Sequence, residues 1–357
     1  HRGWFHSSLL VALGVADKAP YKTVLTHGFV LDSAGKPYSK STIEKARREG
    51  KKIKYIDPND VMAKNGAEVF RLWAASTEFK TDIAYSEEIL KGLTDWYRKF
   101  RNTSRYMLGN LSDFDPNTHN LENVQLSELD RLALGRLGDL TARVTEAYES
   151  YNFHVVYRSL VDYVAVDLSA LYLDVVKDTL YSDHADAAGR KAVQAVLFEI
   201  TSTLARLAAP VLCFTAEDVW KHMPAFEGKA KSVHMTDLPT GSLLDENDSS
   251  VKTWNTLRKY RDLSGKALEE FRAKKNRSED ACLTIHAPEA DRKILEASLE
   301  TFANLTIVSK VVLGEGDDGS IDVSAAPGTR CERCWRWYEE MSKESEDLCL
   351  RCSASIA

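Results

Sequence analysis

The sequence has no stretch approaching the ~20 uncharged apolar residues that cross a bilayer. Its opening, HRGWFHSSLL, carries charge and shows no signal-peptide pattern. Membrane and secreted classes therefore drop out, and a cytoplasmic protein is expected. Turn formers are scarce, with nine prolines and 18 glycines in 357 residues, below the ~12% typical of soluble chains, which favours long helices over a turn-rich all-β fold. Cysteine is sparse and uneven. Four of the six lie in the last 27 residues, while Cys213 and Cys282 stand alone in apolar surroundings, so an oxidised scaffold with distributed bridges is excluded. There is also no surplus of positive charge: 47 Lys and Arg stand against 53 Asp and Glu, a net charge of −6. A nucleic-acid partner would have to be met by local patches. No Ser/His/Asp arrangement, P-loop or complete Gly-x-Gly-x-x-Gly motif occurs. The chain opens on His1, directly in a dense aromatic motif, and we expect sequence to precede it.

Hydrophobic residues make up 44% of the chain, enough for two or three cores at this length. Residues 1–60 read as short β-rich runs and loops, with a strand over 21–31 that pauses at Gly28 and a turn at Asp32–Gly35. From Pro58 the period becomes helical, with Asp57 or Asn59 as cap and apolar positions at Val61, Met62, Val69, Phe70 and Trp73. Further helices are expected at 86–110, 126–149, 153–180, 185–208 and 214–222, which together make a bundle. The acidic stretch 237–250 marks a boundary. Beyond it, a helix at 250–275, a strand at 281–287, a helix at 288–303 and strands at 305–313 and 320–326 form a small α+β unit. Gly314–Gly319 between the last two strands has hairpin-loop chemistry.

The strongest chemical signal is Cys331-Glu332-Arg333-Cys334, then 14 residues, then Cys349-Leu350-Arg351-Cys352. Two Cys-x-x-Cys knuckles place four thiolates for one tetrahedral Zn²⁺, a closed and hence structural site. Two disulfides or free thiols are the alternative. The intervening segment is polar and too short to fold without a metal, which favours zinc. A second, weaker signal is Gly35-Lys36-Pro37-Tyr38-Ser39-Lys40-Ser41, where one ammonium between two hydroxyls suits phosphate oxygens. A solvated loop leading into a basic surface helix fits the same residues. Residues 45–54, KARREGKKIK, carry a local charge of +5, either for RNA or ATP phosphates or simply for solubility. Arg98, Arg101 and Arg105 share one helix face. Residues 251–280 hold nine basic and five acidic side chains. Trp335 and Trp337 flank Arg336 and could stack on unpaired bases or form the knuckle's apolar core, a role that suits Trp335 better. His154 is expected to pack within the bundle.

In order, HRGWFHSSLL (1–10), THGFVLDSAGKPYSKS (26–41), DVMAKNGAEVFRLWAAST (60–77), RKFRNTSRYML (98–108), LARLAAPVLCFTAEDVW (204–220) and APGTRCERCW (326–335) closely resemble the C-terminal portion of bacterial isoleucyl-tRNA synthetases, which are class I aminoacyl-tRNA synthetases. The resemblance covers nearly the whole chain. LAAPVLCFTAEDVW is shared with the valine and leucine enzymes, whereas the opening motif and the CERCW knuckle favour isoleucine.

The resemblance implies a multidomain, mainly α fold. Residues 1–57 close a Rossmann-type α/β catalytic domain, 58–95 form a linking helical region that contacts the tRNA stem, and 96–240 an anticodon-binding helical bundle. Residues 241–326 then form a small α+β domain that contacts tRNA, and 327–357 a zinc knuckle. It implies ATP-dependent activation of isoleucine and transfer to tRNA-Ile, with Mg²⁺ as companion of ATP, in a monomeric enzyme. The family's Lys-Met-Ser-Lys-Ser loop falls on Pro37–Ser41, with Lys40 as the catalytic, ATP-binding lysine and Ser39, Ser41 and His27 beside the nucleotide. Arg98, Arg101, Arg105 and Trp337 are the implied tRNA contacts, and Cys331, Cys334, Cys349 and Cys352 the zinc ligands. The chain departs from the family in Pro37, where the first lysine is expected, and in Thr42-Ile43 and the basic insertion after the loop. It also lacks the family's His-Ile-Gly-His-type ATP motif, most of the amino-acid pocket and the editing domain, so the chain alone is expected to be inactive. A stand-alone, non-catalytic tRNA-binding module is the rival reading, and a zinc-dependent protein-interaction factor a weaker third.

Overall fold

A computed structural model of the chain describes residues 3–31, 35–37, 40–50, 57–85, 87–241 and 249–356. Near the amino end it departs from the expected strands and loops. WFHSSLLVALGVA forms helix α1, Trp4–Ala16, which Asp17 closes in a left-handed conformation at φ 50° with its N–H on the Leu13 carbonyl. Leucine and alanine favour a helix, and with no partner strand alongside among the described residues, that local preference decides. No residue of α1 is buried, and Trp4 is 78% exposed. The strand expected over 21–31 shrinks to β1, Val30–Leu31, because a ladder exists only where a partner does, here the parallel strand β2, Ile83–Ala84. Just before it the two segments nearly touch. A Cβ at Gly28 would lie 2.1 Å from the Thr81 carbonyl oxygen, and the Gly28 N–H donates to the Phe79 carbonyl at 2.8 Å. Helix α2, Lys40–Arg48, follows.

The helical pattern after Pro58 is observed. Helix α3, Pro58–Asn65, starts with Asp57 accepting the Asn59 N–H, and Gly66 at φ 90° joins it to α4, Ala67–Ser76. Next come α5, Glu87–Asn110, and α6, Glu128–Glu149, the latter opened by a reciprocal Ser127–Asp130 capping box. The helix expected at 153–180 is continuous but changes winding: α7, Phe153–Asp162, passes into a π-helix, Tyr163–Tyr172, and then α8, Leu173–Ser182. Helices α9, Ala188–Ala208, and α10, Cys213–His222, complete the bundle. The apolar face of α5 (Leu90, Leu93, Trp96, Phe100, Met107) and α9 (Val196, Leu197, Ile200, Leu204, Leu207), which is buried on most sides, pack in one core. The polar side chains of α9 there are small or hydrogen-bonded, as with Thr201 on the Leu197 carbonyl and Gln194 on the Asn110 carbonyl. His154 is not packed inside: it is about one-third exposed, 3.3 Å from Glu78.

The boundary expected at 237–250 falls partly on 242–248, outside the described residues. Helix α11, Ser249–Ala273, leads to β3, Ala281–Ile285, then α12, Glu289–Ala297, α13, Leu299–Thr306, β4, Lys310–Leu313, and β5, Ile321–Ala325. The sheet order is β4-β3-β5, with β4 parallel and β5 antiparallel to β3. Two expectations change here. Residues 305–306 end a helix rather than start a strand, and Gly314–Gly319 does not close a hairpin but joins the two outer strands. The reason is burial: Ala281, Cys282, Leu283 and Ile285 of β3 are all buried, so this strand takes the middle and the others pair with it, β4 by a helical crossover as parallel neighbours require. The unit shares an apolar core with the bundle, since Leu283, Phe302 and Val311 belong to the same continuous cluster. The tail comprises β6, Thr329–Arg330, β7, Trp337–Tyr338, and α14, Leu350–Ala354. Among the described residues no helix is long and apolar enough to cross a membrane.

Candidate metal centre and signature loop

The two knuckles meet. Strand β6 leads into Cys331, whose N–H donates to the Arg336 carbonyl at 2.9 Å, while the Trp335 N–H returns to the Cys331 carbonyl at 2.9 Å. This turn needs Trp335 at φ 64°. Cys349 caps α14, its sulfur accepting the Cys352 N–H at 3.5 Å. The four sulfurs lie within 4.8 Å of one another, and Cys334 and Cys349 are 3.9 Å apart. A tetrahedron with Zn–S bonds of ~2.3 Å has edges of ~3.8 Å, so the donor set fits that ion. All six cysteines are free, and Cys331, Cys349 and Cys352 are buried. Tyr338, Met341 and Leu348 pack around them. Burial pushes the Cys331 thiol up, but N–H donors from Cys334, Cys349 and Arg333 outweigh it and bring it down to about 7. Burial raises Cys334 and Cys352. Backbone donors aimed at a thiolate stabilise its charge and hold it in place for a metal ion.

Trp337 is half-buried in β7, its indole N–H donating to Asp280 Oδ1 at 2.9 Å. Trp335 is not in the knuckle's core: it is 48% exposed, and the Arg277 guanidinium lies 4.6 Å from its ring centre. The sulfur-cluster core holds Tyr338 in its place. Two further residues were not singled out in the sequence, Tyr338, whose hydroxyl is 3.7 Å from the Cys334 sulfur, and Arg351, which reaches Asp178 at 2.6 Å. The signal for Arg351 lies in the motif itself, since both knuckles read Cys-x-Arg-Cys.

The signature loop is far less built. Pro37 bridges Leu31, Ser39 lies outside the described residues, and Lys40 is the first residue of α2. Ser41 is exposed on that helix. His27 is exposed, with Nδ1 2.7 Å from the Gly28 carbonyl. Residues 51–54 of the basic insertion are likewise outside the description, while Lys45, Arg47 and Arg48 fill the last turn of α2. On α5, Arg98, Arg101 and Arg105 are all exposed. Arg98 lies 3.6 Å from Asp95 and Arg101 stacks over Tyr97 at 5.6 Å.

The model for class I tRNA synthetases (I, L, M and V) matches residues 1–86, and that for the anticodon-binding domain of tRNA ligase matches residues 130–286. Similar curated proteins include the isoleucine–tRNA ligase of Moorella thermoacetica, 39% identical over 100% of this chain and 39% of its own length. Those of Syntrophotalea carbinolica and Geobacter sulfurreducens are 41% and 39% identical, with the same coverage of both chains. The chain thus spans about two-fifths of the length of these relatives. With that similarity running through the signature loop, the bundle and the sulfur knuckles alike, the chain belongs to the class I aminoacyl-tRNA synthetases, in the isoleucine–tRNA ligase family.

Proposed function

We propose that this chain supplies the tRNA-binding and ATP-loop part of an isoleucine–tRNA ligase, which activates isoleucine with ATP and transfers it to tRNA-Ile. The observation that carries this reading is identity of about 40% along the whole chain to isoleucine–tRNA ligases. Lys40, at the start of α2, is the residue we assign to the phosphates. An ammonium aimed at charge that develops during phosphoryl transfer is worth several kcal/mol in a water-poor site. Ser39, Ser41 and His27 border the nucleotide, with Mg²⁺ accompanying ATP. Pro37 leaves Lys36 and Lys40 as the loop's cations. Arg98, Arg101, Arg105 and Trp337 are assigned to tRNA contact, and the protein works as a cytoplasmic monomer.

Cys331, Cys334, Cys349 and Cys352 would hold one Zn²⁺. When bound, the ion supplies structural cross-linking rather than chemistry, because all four positions are filled by protein. The chain's own residues do the rest, burying three of the sulfurs and packing Tyr338 and Leu348 around them.

The test is isoleucine-dependent ATP–pyrophosphate exchange by an enzyme of the relatives' full length carrying this sequence. Lys40→Ala is expected to lower kcat by about 10²–10³-fold while leaving the KM for isoleucine unchanged, and the 357-residue chain alone to show no exchange. Full activity of the alanine variant, or exchange by the chain alone, contradicts the assignment.

A further inference from the structure

The two halves of the sulfur cluster are fastened to different parts of the molecule. The hairpin that carries Cys331 and Cys334 is bound to the α+β unit: Arg336 donates to Asn304 Oδ1 at 2.7 Å, the Trp337 N–H to Ser309 Oγ at 2.8 Å, and the Trp337 indole to Asp280 at 2.9 Å. The helix that carries Cys349 and Cys352 is bound instead to the bundle. Arg351, between those two cysteines' backbones, places a guanidinium nitrogen 2.6 Å from Asp178 Oδ2 in α8 and its Nε 3.6 Å from Asp183 Oδ1 just beyond it. Arg351 Nε and Asp183 Oδ1 are both buried, and each lacks a hydrogen-bond partner of its own. Arg351 sits between two of the sulfur ligands, so its reach toward α8 is set by the segment that carries Cys349 and Cys352. Between the two attachments lies a cavity of about 300 Å³, walled by Asp178 and Asp183 on one side, Glu300 and Asn304 on the other, with Arg351 across it.

We infer that the metal centre is an interdomain staple: closing the four sulfurs around one ion seats Arg351 on Asp178 and so fixes the α+β unit against the end of α8. The inference rests on the zinc reading above, and it assigns Arg351 a positioning role. Without the ion, Cys349–Cys352 and its arginine would keep only a few hydrogen bonds to the hairpin side, Glu332 N–H to the Asp347 carbonyl at 3.0 Å and Arg333 to the Cys352 carbonyl at 3.5 Å among them, and the α8 end would lose the seating of a half-buried, charge-assisted partner. The shared apolar core would still join the two units, so the effect belongs to the cavity's edges and not to the whole fold.

Amide hydrogen exchange of the 357-residue chain, zinc-loaded and chelator-stripped under reducing conditions, tests this, with metal content measured on each sample. Stripping is expected to accelerate exchange by about tenfold or more not only in 331–352 but also in 176–184 and 299–306. Asp178→Asn, far in sequence from the knuckle, should retain its zinc and keep 331–338 protected while 176–184 and 349–356 exchange faster, and Asp178→Glu should restore protection. A chain that binds zinc but whose deprotection stays within 331–352 on stripping overturns the staple and leaves the zinc site standing. An Asp178→Asn variant with wild-type exchange overturns it too. A freshly purified, reduced chain without zinc overturns the zinc reading itself.

Discussion

Glu68 is buried on α4, yet both its carboxyl oxygens are used: they accept the N–H groups of Phe214 and Thr215 at 3.0 and 3.2 Å, at the start of α10. One turn on, Arg71 donates to the carbonyls of Pro210 and Val211 at 2.8 and 2.9 Å. One face of a short helix thus holds both sides of the α9–α10 turn and ties the region following the signature loop to the bundle. Glu68→Ala should cost about 1–2 kcal/mol, the usual loss for a cap whose donors remain buried. Chemical denaturation of the chain checks this, and an unshifted midpoint would contradict it. For the cysteines, Cys334→Ser should lower zinc content below one per chain and deprotect β6 and β7, read by metal analysis and hydrogen exchange. A variant with full metal content would count against the ligand set. At this scale the sequence was informative where chemistry is local. Four cysteines at fixed spacing announce themselves, whereas Arg351 lies 173 residues from Asp178 and Glu68 146 from Phe214, and no local pattern reports such a pairing.

Among the elements, the helices from α3 to α10 were legible because an apolar face repeating every 3.6 residues is written directly in the chain. The π-winding of Tyr163–Tyr172 was not, since a switch from i→i+4 to i→i+5 bonding has no residue signature of its own. Arg261 of α11 donates to the Ala170 carbonyl there, at 2.8 Å, a partner that only the folded chain supplies. Strand order escaped for a similar reason: Gly314–Gly319 has turn residues, but burial of β3, not the turn, decides which strands pair. That same segment carries a pH response. His286 has Nδ1 on the Glu315 carbonyl and Nε2 3.0 Å from Asp322 Oδ2, acceptors on both sides, and the Glu315 carbonyl foremost, then Asp322, raises its pKa. A raised folded-state value favours the imidazolium, so the contribution is complete below the unfolded value of ~6.5 and is lost as pH rises through the folded one. The ring should titrate above ~6.5 by NMR, and a midpoint at or below that would contradict the paired geometry. Helix α2 has a simpler test. Its terminal Lys45, Arg47 and Arg48 suit a helix C-terminus electrostatically, yet if they also meet RNA, Arg47→Glu with Arg48→Glu should raise the KM for tRNA several-fold in the complete enzyme. An unchanged KM leaves only the helix-end role.

For the molecule as a whole, a net charge of −6 does not oppose an RNA partner, because the cations are gathered on α2, along the exposed face of α5 and through α11. A continuous apolar core joins the bundle to the α+β unit, and the sulfur cluster bridges them at one edge. The amino-terminal part contrasts with this. None of α1 is buried, and Trp4 and Val15 are 78% and 85% exposed. The mainly helical class was legible from composition and period, while the likeness to isoleucine–tRNA ligases rests on motif resemblance and on identity of about 40% along the whole chain. Affinity through phosphate contacts should fall steeply with salt, but salt dependence alone does not identify the tRNA. The most direct measurement is the Kd of the zinc-loaded chain for tRNA-Ile and for tRNA-Val transcripts at one fixed ionic strength. Tighter binding of tRNA-Ile by at least about tenfold, some 1.4 kcal/mol, is the predicted result; equal affinities for the two, or no binding to either, would contradict the proposed function.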